Sequence, residues 1–325
     1  MFGEGAENGA VRIGFVLVPE FSMIAFAAGV EPIRLANRLS DSSIYTGVTL
    51  SNDGKDVTAS NGVCVAVDHS IVDAGPLDMV MVCGGLNIRD HTSVALMNAV
   101  RRRATHGAGV GALCTGSYVL ARAGLLDGYR CTIHWENLTS FAEEFPEIEV
   151  TAELFEIDRN RLSCAGGTAA VDMMLTMIGM QRGDALAAMV ADQLIHHRIR
   201  ESTERQRMEL RSRVGVAHPK LLSVIQMMEE NLEEPLSCAE LARMVGLSAR
   251  QLERLFRKYL GQVPTRYYLE LRLKRSRFLL LQTSMPVLSV ALSCGFVSAS
   301  HFSKCYRECF HKTPSEERRI LIEVA

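Results

Sequence analysis

The chain of 325 residues is long enough for two domains, each with a core of its own. Its net charge of −2 comes from 35 Lys and Arg against 37 Asp and Glu, and no apolar stretch approaches the length of a bilayer span, which argues against a membrane protein. Nine Cys are scattered without a C-x-x-C pair, and residues 1–10 lack the basic start and apolar run of a signal peptide, so a cytoplasmic protein with reduced thiols is expected.

The first predicted element is the near-continuous apolar run Val11–Val18, the pattern of a strand buried in a parallel sheet. A helical stretch from Phe26 to Leu39 follows, then shorter strands near 44–50 and 63–67. Asp78–Cys83 reads as a second buried strand, ending in Gly84-Gly85. A helix over 92–106 leads to the strand Gly109–Leu113, which runs into Cys114-Thr115-Gly116-Ser117. This alternation predicts an α/β domain with a parallel, flavodoxin-like sheet and ligands at the carboxyl ends of its strands. A strand near 148–157 and helices near 168–181 and 184–200 complete it, so that the domain spans 11–200. Residues 201–217, rich in Glu, Arg and Ser, read as a helical or flexible connector.

Residues 218–320 read as an all-α domain that carries the same pattern twice. Ala242 and Ala291 let two helices approach, and four residues later Gly246 and Gly295 permit a left-handed turn. Ser248 and Ser298 then cap a second helix. Leu252, Leu255, Phe256 and Tyr259 are expected to face inward in one copy, and Phe302, Cys305, Tyr306 and Phe310 in the other. Each copy is expected to end in a Pro, at Pro264 and Pro314. The duplicated helix-turn-helix points to a module that reads DNA. From His218 onward there are 16 Lys and Arg against 11 Glu and no Asp, leaving 19 against 26 for the rest, a bias that suits phosphate contact. Cys305 and Cys309, four apart on a helix, read as packing rather than a metal site, and no cofactor is expected.

Cys114 sits where a strand turns into a helix between small residues, the geometry of a nucleophile elbow with Cys at its apex. The N–H of Thr115 and one from the Gly84-Gly85 loop offer an anion hole, and His134 follows beside Trp135, the single Trp. On these residues the N-terminal part, about 11–180, resembles the amidotransferase-like fold of the PfpI intracellular protease family. The part over 219–318 resembles the AraC-type DNA-binding domain. The combination is that of the GlxA-like bacterial transcriptional regulators.

The resemblance implies a ligand-responsive regulator of amino-acid or quaternary-amine catabolism genes (betaine, carnitine, arginine), acting as an activator. It implies a homodimer formed by the N-terminal domain, with an operator in double-stranded DNA, RNA polymerase and a small-molecule effector as partners. Hydrolytic members place a carboxylate after the first strand, and the corresponding position here is Ala25, with Glu20 nearby but out of register. A ligand pocket is therefore expected in place of an active site, walled by Glu20, Phe21, Gly84, Gly85, Cys114, Thr115, His134 and Trp135. A quaternary ammonium or guanidinium would find the Trp135 face beside Glu20 and Glu136. The alternatives are a Cys114-dependent amidase or protease, and a thiol redox sensor. For the DNA, Arg250, Glu253 and Arg254 are expected at base edges from the first recognition helix, and Ser300, His301 and Lys304 from the second. Arg257, Lys258, Arg307 and Lys312 are expected at phosphates.

Overall fold

The computed structural model describes residues 9–207, 210–283 and 285–323, which form two compact units dividing between Arg207 and Met208. In the first unit the strands are β1 Val11–Leu17, β2 Tyr45–Ser51, β3 Val57–Thr58, β4 Cys64–Val65, β5 His69–Ser70, β6 Met79–Cys83, β7 Gly109–Leu113, β8 Arg130–Thr132, β9 Glu149–Thr151, β10 Phe155–Asp158 and β11 Arg161–Cys164. Seven of them make one sheet in the order β10-β11-β7-β6-β1-β2-β5, parallel except for the antiparallel β10–β11 pair at one edge. Successive residues of β6 point to opposite faces, so Met79, Met81 and Cys83 enter one core while Val80 and Val82 enter the other. The helices α1 Met23–Ser40, α6 Ala169–Arg182 and α7 Asp184–Gln193 bury apolar faces in the first core. Helices α3 Val94–Thr105, α4 Ser117–Arg122 and α5 Leu138–Glu144 cover the other, and the short α2 Ile88–His91 precedes them. The result is the expected α/β domain, with helices on both faces of a mostly parallel sheet.

Several predicted elements differ in their bounds. The helix expected over 92–106 is α3, which begins at Val94 because Ser93 adopts an extended conformation and its Oγ accepts from the Leu96 N–H as the N-cap; the one-turn α2 before it was not expected. The strand expected near 148–157 is two strands, and β11 behind it lacked a distinct signal. The helix expected to run to residue 200 stops at Gln193, since Ile195 takes a left-handed conformation (φ 55°). The chain then turns back, and His196 Nε2 and the Arg200 guanidinium both bind the fully buried carboxylate of Asp172, at 2.8 and 2.6 Å. Residues 201–207 remain on this unit. The Leu154 N–H donates to the Ser202 carbonyl at 2.9 Å, Arg205 bridges to Glu153, and Arg198 grips Glu204 with both terminal nitrogens.

The second unit is helical: α8 Leu210–Val214, α9 Pro219–Glu230, α10 Cys238–Met244, α11 Ala249–Leu260, α12 Pro264–Gln282, α13 Val287–Ser293, α14 Ala299–Phe310 and α15 Pro314–Glu323. The pairs α10–α11 and α13–α14 are the two helix-turn-helix repeats. Ala242 and Ala291 are buried at their crossings, and Gly246 and Gly295 turn with φ of 64° and 72°. Ser237 and Ser248 each form a capping box, with Glu240 and Gln251. Two expectations change. Pro264 and Pro314 do not end a repeat but open the next helix, three residues after a left-handed C-cap at Gly261 or His311. Tyr259 faces outward, its ring beside that of His218 at 5.5 Å, because it falls on the charged side of α11.

The two turn glycines are not equivalent. A Cβ on Gly246 would meet only the end of Lys220 at 3.7 Å, whereas on Gly295 it would lie 2.5 Å from Pro235 Cγ and 2.7 Å from the Leu232 carbonyl. Gly246→Ala should therefore cost about 1–2 kcal/mol, the left-handed penalty alone, and Gly295→Ala about 1–3 kcal/mol more through overpacking. Chemical denaturation followed by far-UV circular dichroism checks this, and equal losses would contradict it.

Candidate functional site

The site lies at the carboxyl ends of β1, β6 and β7, where parallel sheets present ligands to loops. Each of these strands is followed by a non-glycine residue in the left-handed region: Glu20 (φ 60°), Asn87 (φ 46°) and Cys114 (φ 60°). Such residues are rare outside glycine and mark places where surrounding structure enforces strain. The enforcement here is backbone packing. Gly84 lies against the Gly116 N–H and Thr115, Gly85 against the Glu20 carbonyl, and Gly116 against the Val82 carbonyl, all too closely for any Cβ. Gly166, at φ 87°, would set a Cβ 2.6 Å from that of Cys114. Phe21 forms a β-bridge with Gly85, and the Thr115 hydroxyl donates to the Gly85 carbonyl at 2.7 Å.

This packing decides the state of the thiol. Cys114 is buried, and desolvation, with Cys164 and Glu136 adding repulsion against a thiolate, pushes its pKa up to about 12; the Thr115 backbone opposes this only in part. Burial likewise raises Cys164 to about 11 and lifts Cys83 well above the ordinary thiol value. Ala25, the position of the missing carboxylate, is buried in the core. Glu20 does not replace it. Its Oε2 accepts from Asn87 Nδ2 at 2.7 Å and lies 3.2 Å from His91 Nε2. Gly84 spends its N–H on the Leu113 carbonyl at 3.1 Å, so it is not the second donor of an anion hole.

His134 is largely buried, and desolvation lowers its pKa, so the ring is neutral near pH 7. Its Nδ1 lies 3.6 Å from Glu136 Oε2, and among the described residues no hydrogen bond joins it to the Cys114 thiol. Trp135 is 38% exposed, and the guanidinium of Arg207 lies over its ring at 4.4 Å. Phe21, expected as a wall, is fully buried and packs edge-on against Phe26 at 5.6 Å. The sequence reading missed Asn87, His91 and Arg207. Asn87 alone carried a signal, since Asn tolerates left-handed backbone. Among the described residues, no group of three or more His, Cys, Asp or Glu is placed to hold a metal.

In the second unit Arg250, Arg254, Arg257 and Lys258 are exposed along α11, with Arg257 paired to Glu253 at 2.7 Å. Ser248, Arg250, Gln251, Glu253, Arg254 and Arg257 line one shallow open surface. On α14, Ser300, Lys304 and Arg307 are exposed, as is Lys312 beyond it. His301 is exposed too, but its Nε2 lies 3.4 Å from Cys305 Sγ and its ring 6.0 Å from that of Phe296. The connecting helix α12 fastens the second repeat. Arg272 stacks over Phe296 at 4.2 Å and donates to the Cys294 and Gly295 carbonyls at 2.7 and 2.6 Å.

Residues 23–180 match the DJ-1/PfpI family and residues 241–320 a helix-turn-helix domain. The chain is 48% identical to the HTH-type transcriptional regulator GbdR of Pseudomonas aeruginosa over 94% of its own length and 84% of that protein's. It is 44% identical to CdhR of the same species, covering 94% and 91%, and 36% identical to GlxA of Rhizobium meliloti, covering 95% of each. The chain belongs to the GlxA-like AraC-family transcriptional regulators. Members of this family bind DNA through the helix-turn-helix pair, and this chain is such a DNA-binding regulator. A solved AraC-family regulator from Pseudomonas putida, 34% identical, covers 57% of this chain and 99% of its own with a TM-score of 0.52. A ThiJ/PfpI protein of Pseudomonas syringae, 20% identical with a TM-score of 0.52 over 68% of this chain and 87% of its own, shares the fold.

A thiol with a pKa near 12 carries almost no thiolate below pH 9, so Cys114 should resist iodoacetamide at pH 7.5 in the native protein. Cys64, which is exposed, should be labelled first. Peptide mass spectrometry of a labelling time course reads this, and early modification of Cys114 would contradict it.

Proposed function

We propose that the chain is a sensor whose amidotransferase-like fold binds a small amine or amino acid without transforming it, and whose second unit carries that signal to DNA. The observation that carries the reading is the neutral, buried state of Cys114 with Ala25 where hydrolytic members hold a carboxylate. General acid–base help of the kind such a thiol lacks is typically worth ~10²–10⁴-fold in rate. The effector is a quaternary ammonium or guanidinium compound, and the pocket is built from Glu20, Gly84, Gly85, Cys114, Thr115, His134 and Trp135. The carboxylates of Glu20 and Glu136 and the half-exposed Trp135 face support a cationic ligand. Residues 218–320 form the DNA-binding domain in this reading, and 11–200 the sensing domain.

Arg250, Glu253 and Arg254 of α11 and Ser300, His301 and Lys304 of α14 meet base edges in successive major grooves. Arg257, Lys258 and Arg307 meet phosphates. Arg254 is the strongest candidate, being exposed in the N-terminal half of α11. Activation follows if effector binding changes how a homodimer, joined by its N-terminal units, presents these helices to DNA and RNA polymerase. Met180, Met189 and Ile195, which expose apolar side chains near α6 and α7, support such self-association.

Two measurements test this. In a thermal-shift panel of betaine, carnitine, dimethylglycine and arginine, the effector at about 100 times its Kd should add roughly 2.7 kcal/mol to the unfolding free energy of wild type and Cys114→Ala alike, and be recovered unchanged. A compound consumed only when Cys114 is present would restore the enzymatic reading. Arg254→Ala should weaken operator binding by about 1–3 kcal/mol with the fold intact, and an unchanged affinity in electrophoretic mobility shifts would remove Arg254 from the interface.

A further inference from the structure

The face of Trp135 is not empty. The Arg207 guanidinium lies 4.4 Å from its ring centroid, in the position a cationic ligand would take. Arg207 is also the last residue of the first unit, from which the chain passes to the helical unit. The residue before it is docked on the same site: Gln206 Nε2 donates to the Thr132 hydroxyl and to the Ile133 and Glu153 carbonyls at 2.9, 3.0 and 2.9 Å. Ile133 immediately precedes His134 and Trp135, so residues 206 and 207 are held by the segment that carries the pocket wall.

The docking is firm on one side and costly on the other. Upstream, Arg198 holds Glu204 at 2.7 and 2.9 Å, and the Ser202 carbonyl accepts from Leu154. At the tip, Gln206 Oε1 is buried with no hydrogen-bond partner among the described residues, a desolvation cost that undocking relieves. Arg207 itself is exposed, and an exposed cation–π contact is weak enough for a competing cation to replace.

We propose that Trp135 is a cation-binding site which the chain's own Arg207 occupies in the ligand-free protein. A cationic effector binds by displacing that guanidinium and thereby loosens Gln206 and Arg207 where the chain leaves for the DNA-binding unit. The inference rests on the cationic-effector reading above and adds the internal competitor. It gives the ligand a differential affinity for two arrangements of the chain, which any ligand-driven change requires.

Trp135 is the single tryptophan, so its fluorescence reports the site in the full-length protein. Without ligand, acrylamide should quench Trp135 more strongly in Arg207→Gln than in wild type, while Arg207→Lys, which keeps a cation, should stay close to wild type. Titration with tetramethylammonium should reach half-saturation at a concentration roughly 2–5-fold lower in Arg207→Gln, the factor an exposed cation–π contact corresponds to. tert-Butanol, neutral and of similar shape, should have no such effect. In wild type, tetramethylammonium should also speed trypsin cleavage after Arg207, a readout that stands if Arg207→Gln does not fold. Equal quenching and equal half-saturation in wild type and Arg207→Gln, or unchanged cleavage, would overturn the displacement while leaving a cation site at Trp135. No response of either protein to tetramethylammonium, or the same response to tert-butanol, would overturn the cationic-effector reading and this inference with it.

Discussion

Backbone packed directly on backbone at the ends of β6 and β7 is the constraint on which the N-terminal unit depends. Gly84, Gly85 and Gly116 have no room for a side chain, and Gly166 presses on Cys114. This contact holds Cys114 at a positive φ, strain of order 1–3 kcal/mol that the surrounding core must offset. In an enzyme the same elbow presents a reactive group. Here the carboxylate that would support it is Ala25, and burial leaves the thiol protonated. What remains of that architecture is its geometry, the ends of β1, β6 and β7 packed backbone to backbone around Cys114.

The helical unit rests on a second repeated constraint, the left-handed glycine between two crossed helices. The repeats share the buried alanine, the glycine and the serine cap, yet the second is one residue longer. Val297 stands between Phe296 and Ser298 and is 96% exposed, with no counterpart between Leu247 and Ser248. The exposed faces also differ: α11 carries Arg250, Arg254, Arg257 and Lys258, whereas α14 offers Ser300, Lys304 and Arg307. The exposed face of α11 therefore carries more positive charge than that of α14. Arg272 of α12, half-buried, ties the second turn to the connecting helix through the Cys294 and Gly295 carbonyls, and the same turn packs closely on Leu232 and Pro235 of the loop before α10.

What was legible in the sequence is what short-range rules govern. Turn glycines, serine caps, buried strand runs and the elbow each write their requirement within a few residues, and the fold follows from them. The pocket was only half legible. Gly84, Gly85, Cys114 and Thr115 do adjoin one another, but Phe21 belongs to the core and Glu20 bonds Asn87 and His91. Those partners lie about seventy residues along the chain, as Arg207 does from Trp135, and no local pattern encodes such pairings. The end of α7 was missed for a similar reason, since Asp172 draws His196 and Arg200 back against the helical pattern of residues 184–200.

The measurement that bears most directly on a chain reading DNA with both repeats is hydroxyl-radical footprinting of the full-length protein on an operator selected from random duplexes. Two protected windows are expected on one face of the duplex, about one helical turn (~10–10.5 base pairs) apart for each bound subunit, with Lys304→Ala weakening only one of them. A single window per subunit, or two windows that Lys304→Ala weakens equally, would contradict this.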